Sequence, residues 1–222
     1  VKANHADTLI LYRVGDFYEL FFEDAKIASR ELQLVLTGKS AGVEERIPMC
    51  GVPHHAASSY IDKLIAKGYR VGIVEQLEDP SGAKGIVERD VVQIITPGAN
   101  IDVKVKDNNY IGCIDVSENC YIFSYADVST GEIYVENLEK NIDSVISEID
   151  NLFIKEVVAA TSFSSSDLLT LRTRRNVLIS YENNNEVTIE HEYILNNVYD
   201  LNQRRNVVRL LQYLKSTQKS SL

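Results

Sequence analysis

Near its midpoint the chain carries ANIDVKVKDNN, Ala99 to Asn109, a stretch that is polar, charged and weakly patterned. A continuous hydrophobic core cannot be threaded through such a segment, so it predicts a domain boundary. With 222 residues, 45% of them hydrophobic, each half keeps the length and apolar content of an ordinary domain. The expected division is a first domain over 1–100, a linker over 101–107, a second domain over 108–188 and a helical segment over 189–222.

The first half alternates strands and helices. TLILYRV (Thr8 to Val14) has the apolar run of a buried strand, and FYELF continues extended after the Gly15-Asp16 break. EDAKIASRELQL places Ala25, Ala28 and Leu32 on one helical face, with Glu23 and Asp24 in the first turn, where the helix dipole favours acids. A polar loop is expected over TGKSAGVEER, and the two prolines and glycine of IPMCGVPHH rule out regular structure across that stretch. A second helix then shows Ala57, Tyr60, Ile61, Leu64 and Ile65 at helical spacing and stops at Gly68. YRVGIVEQL and VERDVVQIITPG are further strands, separated by the turn-rich EDPSGAKG. This half predicts a small mixed α/β domain.

In the second half YIGCIDV, CYIFSYADV and EIYVENL form an antiparallel meander with short turns. IDSVISEIDNLF predicts a helix, EVVAA a short buried strand, SSDLLTLRT a serine-capped helix and NVLISYE a strand. Three antiparallel strands followed by βαβ steps is the order of an RNase H-like mixed sheet. Helical recurrence returns between Ile189 and Lys219, at Val207, Leu210, Leu211 and Leu214.

No run approaches the roughly 18 uncharged apolar residues of a membrane span. The first residues, VKANHADTLI, lack both a signal-peptide shape and a starting methionine, so the chain is expected to be soluble, cytosolic and a piece of something longer. Cys50, Cys113 and Cys120 lie far apart and odd in number, which suits small core residues in a reducing compartment. The net charge of -9 is acidic in both halves and argues against sequence-independent DNA affinity, which comes mainly from Lys and Arg on phosphates. Neither a G-x-x-x-x-G-K-[ST] loop nor a G-x-G-x-x-G is present, so no nucleotide site is expected.

The most unusual stretch is VGDFYELFFEDA, Val14 to Ala25. If FYELF is extended, Phe17, Glu19 and Phe21 share one face, and Tyr18, Leu20 and Phe22 share the other, the anchoring one. An acid between two phenylalanines is an odd core pattern, because an unpaired buried carboxylate is costly. Either Glu19 has a basic partner such as Arg13, or that face is open. The adjacent His54 and His55 point in different directions on most backbones, with no further ligand at metal-binding spacing. Asp115, Asp127 and Glu132 raise a separate possibility, since RNase H-like nucleases hold two Mg²⁺ ions with acids on such strands. Asp127, however, sits in ADVSTGE, where turn chemistry alone accounts for Asp, Ser and Gly.

GDFYELF, EDA, IPMCGVPHHA, YIDKLIAKGYRVGIVEQLEDP, KGIVERDVVQIITPG and ADVSTGE, in this order, resemble the N-terminal part of the MutS family of DNA mismatch-recognition proteins. The resemblance is dense over residues 8–100, sparser beyond, and returns in LLQYLKSTQKSSL, which is similar to the start of that family's central core. It implies a mismatch-recognition domain followed by an RNase H-like, non-catalytic connector. It implies that Phe17 wedges beside a mispaired or unpaired base while Glu19 hydrogen-bonds to it; separately, anionic surroundings and desolvation in the complex lead to the expectation that Glu19 donates a proton to the base. Val14 matches a position packing against DNA, and Lys39 aligns with a phosphate-contacting residue of the family's LTKR stretch. Gly38 replaces the usual first basic residue there.

The expected partners are mismatched double-stranded DNA and MutL, and there is no membrane. The segment itself is expected to be a non-enzymatic monomer without cofactor or metal, and to bind DNA weakly alone. The full-length form is expected to be a homodimeric, DNA-dependent ATPase using ATP and Mg, in the bacterial cytoplasm at the nucleoid. The enzyme alternative is a metal-dependent nuclease using Asp115 and Asp127.

Overall fold

The computed structural model describes residues 1–40, 42, 45–76, 89–99 and 109–218. The expected linker at 101–107 and the turn-rich EDPSGAKG lie outside the described residues. Two compact units emerge, one built on Val1–Thr96 and one on Pro97–Thr217.

The first unit contains β1 (Thr8–Val14), β2 (Phe17–Phe21), α1 (Phe22–Leu32), β3 (Thr37–Lys39), β4 (Ile47–Pro53), α2 (Ala57–Ala66), β5 (Arg70–Gln76) and β6 (Arg89–Ile95). Its strands form one mixed sheet in the order β3-β4-β2-β1-β5-β6. Among the described residues of this sheet only the β1–β5 pair is parallel. Strand alternation sends Leu9, Leu11, Tyr18, Leu20, Cys50, Val52, Val71 and Ile73 to one face, where Ala25 and Ala28 of α1 and Ile61 and Leu64 of α2 close the core. The small residues of α1 let that helix approach closely, and both alanines are fully buried. On the opposite face Ile10, Val74, Val91 and Ile94 form a smaller cluster bordered by Tyr12.

The alternation expected along VGDFYELFFEDA breaks at its end. Tyr18 and Leu20 are buried as expected, but Phe22 is 60% exposed and has φ 54. The chain turns from strand to helix there, and the left-handed backbone directs the ring to solvent instead of into the core. Cys50 and Cys113 are buried, whereas Cys120 is half-buried at a strand start, its Sγ 2.9 Å from the Ser117 hydroxyl.

The second unit contains β7 (Tyr110–Val116), β8 (Cys120–Asp127), β9 (Ile133–Glu139), α3 (Ile142–Asn151), β10 (Glu156–Ala159), α4 (Ser165–Arg175), β11 (Leu178–Tyr181) and α5 (Leu201–Thr217). The sheet order is β11-β10-β7-β8-β9, with β7, β8 and β9 antiparallel and β10 parallel to both β7 and β11. This is the expected RNase H-like mixed sheet. Asn141 and Ser164 cap α3 and α4 by accepting from Asp143 N and Asp167 N. Ile114, Phe123 and Val157 face α3 and α4. Ile111, Cys113 and Val158 face α5 through Leu210 and Tyr213.

Candidate nucleic-acid interface

The β1–β2 hairpin carries the site. Val14 pairs with Phe17, leaving Gly15-Asp16 as a two-residue turn. Gly15 has φ 56, a conformation that favours glycine. The Asp16 carbonyl accepts from His54 N at 2.8 Å, tying the turn to the residue that follows β4.

From that turn β2 presents Phe17, Glu19 and Phe21 away from the helices. Phe17 is 49% exposed, flanked in register by Val14 on β1 and Pro53 on β4. Glu19 lies between Tyr12 and Gly51, and the glycine leaves one flank of the carboxylate free of any side chain. A Cβ at Gly51 would stand 3.7 Å from Glu19 Cγ. Lys39, on the short strand β3, donates to Glu19 Oε2 at 2.5 Å. The same ammonium sits 5.2 Å from the Phe21 ring centroid, and Phe21 in turn packs tilted against Tyr12 at 5.7 Å.

Both readings of Glu19 therefore hold in part. The acid has a basic partner and the face beside it is open, but that partner is Lys39. Arg13 instead points to the other side, its guanidinium 5.7 Å from the Tyr18 ring. The Tyr18 hydroxyl donates to Glu75, and burial together with that carboxylate raises the phenol's pKa. With side chains 42% and 16% exposed, the Lys39–Glu19 pair contributes at most about 1 kcal/mol to stability. Its weight is in geometry: it fixes one carboxylate oxygen, while among the described residues no hydrogen bond reaches the other.

The structure thus gathers Val14, Phe17, Glu19 and Lys39 on one face of one sheet. Sequence reasoning missed Phe21 as the platform for Lys39, although the F-x-E-x-F spacing already put it on that face. Gly38 points the other way, where a Cβ would meet Arg46 Cβ at 2.7 Å.

The nuclease alternative does not assemble. Asp115 lies opposite Ile122 and Asp127 opposite Tyr110, five residue rows apart, roughly 16 Å along the strands. Strand alternation also puts them on opposite faces. Asp115 is taken by Arg209 of α5, whose Nε and Nη2 both donate to it at 3.2 Å. Asp127 Oδ1 accepts from the Ser129 amide at 2.9 Å and hydroxyl at 2.6 Å, the turn role its local sequence suggested. Two-metal chemistry needs acids converging on ions about 4 Å apart. Among the described residues no group of three or more His, Cys, Asp or Glu is placed to hold a metal, and no helix is long and apolar enough to cross a membrane.

The profile of MutS domain I matches residues 1–104, and that of MutS domain II matches residues 109–222. The chain is 44% identical over 225 residues to the DNA mismatch repair protein MutS of Bacillus subtilis (strain 168), covering 100% of the chain and 26% of that relative. The proteins of the same name from Bacillus licheniformis and Listeria monocytogenes serotype 4b are 44% identical over 225 and 41% over 228 residues, with the same coverage. The chain therefore spans about a quarter of the length of the curated relatives it matches.

Proposed function

The chain belongs to the MutS family, and on that premise we propose that its first unit reads DNA mismatches and its second serves as a connector. The half-exposed Phe17 beside Glu19 on the open side of β2 carries the proposal. Inserting an apolar wedge into a duplex costs a few kcal/mol of unstacking. Stacking of a base on the ring returns about 1–3 kcal/mol. The sum is near zero, so a base whose pairing is already poor decides the outcome, and deformability is what is read. Glu19 hydrogen-bonds to the displaced base, while Val14 and Lys39 sit close enough in the same face to touch backbone or neighbouring bases.

If Glu19 donates to a base acceptor, its carboxyl must carry a proton; the Lys39 ammonium favours the second reading, in which a carboxylate accepts from a base N–H. Comparing Glu19→Gln with Glu19→Ala tests the donor reading: the Gln amide keeps an N–H donor and is expected to retain mismatch affinity that Ala loses, and Gln binding no better than Ala overturns it.

The proposed context is a homodimer that uses ATP and Mg through parts outside these two domains. In it the connector relays to those parts and to MutL, in the bacterial cytoplasm at the nucleoid. The segment alone is proposed to be a non-enzymatic monomer that binds DNA weakly, because net charge -9 opposes the phosphates. The test is mismatch binding by a chain extended to the relatives' full length, with matched duplex as control. Phe17→Ala is expected to remove the preference for mismatch over matched DNA. An unchanged ratio overturns the proposal.

A further inference from the structure

We propose that Lys39 is a positioning residue that acts through Glu19: resting on Phe21, it orients the carboxylate and masks its charge while the open face of β2 meets DNA. The inference rests on the mismatch-reading role given above and adds how an acid is tolerated there.

The difficulty is electrostatic. A bare carboxylate beside an intercalating ring would face two phosphate strands, and like charges at such a site oppose matched and mismatched DNA alike. Three features of the structure answer it together. The ammonium of Lys39 is bonded to Glu19 at 2.5 Å, so the charge that approaches DNA is that of the pair. The lysine crosses the Phe21 ring at 5.2 Å, which defines its path from β3 to β2. Strand β3 is only Thr37–Lys39, held to β4 by the pairs Thr37–Met49, Gly38–Pro48 and Lys39–Ile47. This short strand brings Lys39 to the face occupied by Glu19. An ammonium has three donors, so holding Oε2 leaves two for water or phosphate. With Oε2 committed to Lys39 and the Gly51 flank clear, the remaining oxygen is the one a base can reach.

A lysine acting alone on phosphate and a lysine acting through Glu19 differ in coupling, which a double-mutant cycle measures. The variants are Lys39→Met, which keeps the stem over Phe21, Glu19→Gln, and both together in the full-length form. Each is titrated with mismatched and matched duplex at one salt concentration. Lys39→Met is expected to weaken mismatch binding about tenfold when Glu19 is present, but no more than about threefold in the Glu19→Gln background, where no charge remains to mask. Equal losses in both backgrounds overturn the proposal and leave Lys39 as an independent phosphate contact. Phe17→Ala in the same assay keeps two failures apart. If it removes the mismatch preference while coupling is absent, only the role of Lys39 falls. If the preference survives it, the reading of the site falls and the role of Lys39 with it.

Discussion

Leu20 and Phe22 stand two residues apart, and simple alternation gives them the same surroundings. Leu20 is 1% exposed within the α1-facing core, while Phe22 is 60% exposed with φ 54. Leu20→Ala should therefore cost about 2–5 kcal/mol. Phe22→Gly should be neutral or stabilise by up to about 1 kcal/mol, since glycine occupies that backbone region without a Cβ penalty. Urea denaturation of the two variants checks both, and a large loss on Phe22→Gly would mean the exposed ring holds the junction after all. Gly38 is the converse case. A Cβ there meets Arg46 Cβ at 2.7 Å, so Gly38→Ala is expected to destabilise by roughly 1–3 kcal/mol, read as a lowered melting temperature. At this scale the period-two pattern was enough to put Phe17 and Glu19 on one face. The partner of Glu19 was not legible, because Lys39 lies twenty residues away on a strand too short to leave an apolar signature.

Helix α5 is held to its sheet by polar anchors that its apolar spacing does not announce. Arg209 is 4% exposed and reaches both Asp115 oxygens and the Glu182 carbonyl. The Tyr213 and Ser180 hydroxyls donate to buried Glu156, as does the Gly98 amide at 2.9 Å. Removing one partner of a buried pair costs more than removing both, so Arg209→Met is expected to lose about 3 kcal/mol and Arg209→Met with Asp115→Asn less. Denaturant titration of the three proteins measures the difference. Asp127 supplies a pH prediction for the same sheet. Burial alone would raise its pKa, but hydrogen bonds from Ser129 together with the Thr130 and Asn109 backbone outweigh that and hold it below the ordinary carboxylate value. A depressed folded pKa contributes stability above the unfolded value of about 4, lost as pH falls through the lower folded one. Asp127→Asn should flatten the acid limb of the melting temperature between about pH 5 and 2. Most strands and helices were readable because each is an apolar run or a helical recurrence bounded by turn residues; β3 and β4 were not, since TGK has no apolar run and the prolines and glycine of IPMCGVP suggested irregular chain where a regular strand stands. Arg209 and Asn206 were not readable as interior, since a charged or amide side chain is ordinarily assigned to solvent until its partner is known.

Each unit has its own apolar core, with Leu20 fully buried in one and Leu171 in the other. Scanning calorimetry of the chain is therefore expected to resolve two transitions, Leu20→Ala lowering one and Leu171→Ala the other; a single transition moved by both would show one cooperative block. The mixed sheets were legible from the order of their elements. The pairing of β1 with β5 was less so, because a buried strand does not name its neighbours. That pairing also bears on how the chain is made. Strand β1 finds β2 at once across a two-residue turn, yet its other edge stays unmatched until Arg70–Gln76 has been synthesised. Until then TLILYRV is a bare apolar edge, the kind of segment that recruits other chains. Chains ended before Arg70 should therefore aggregate during translation, and chains carried past Gln76 should not, so the hairpin that carries Phe17 is sheltered only once a strand from much later in the chain has arrived.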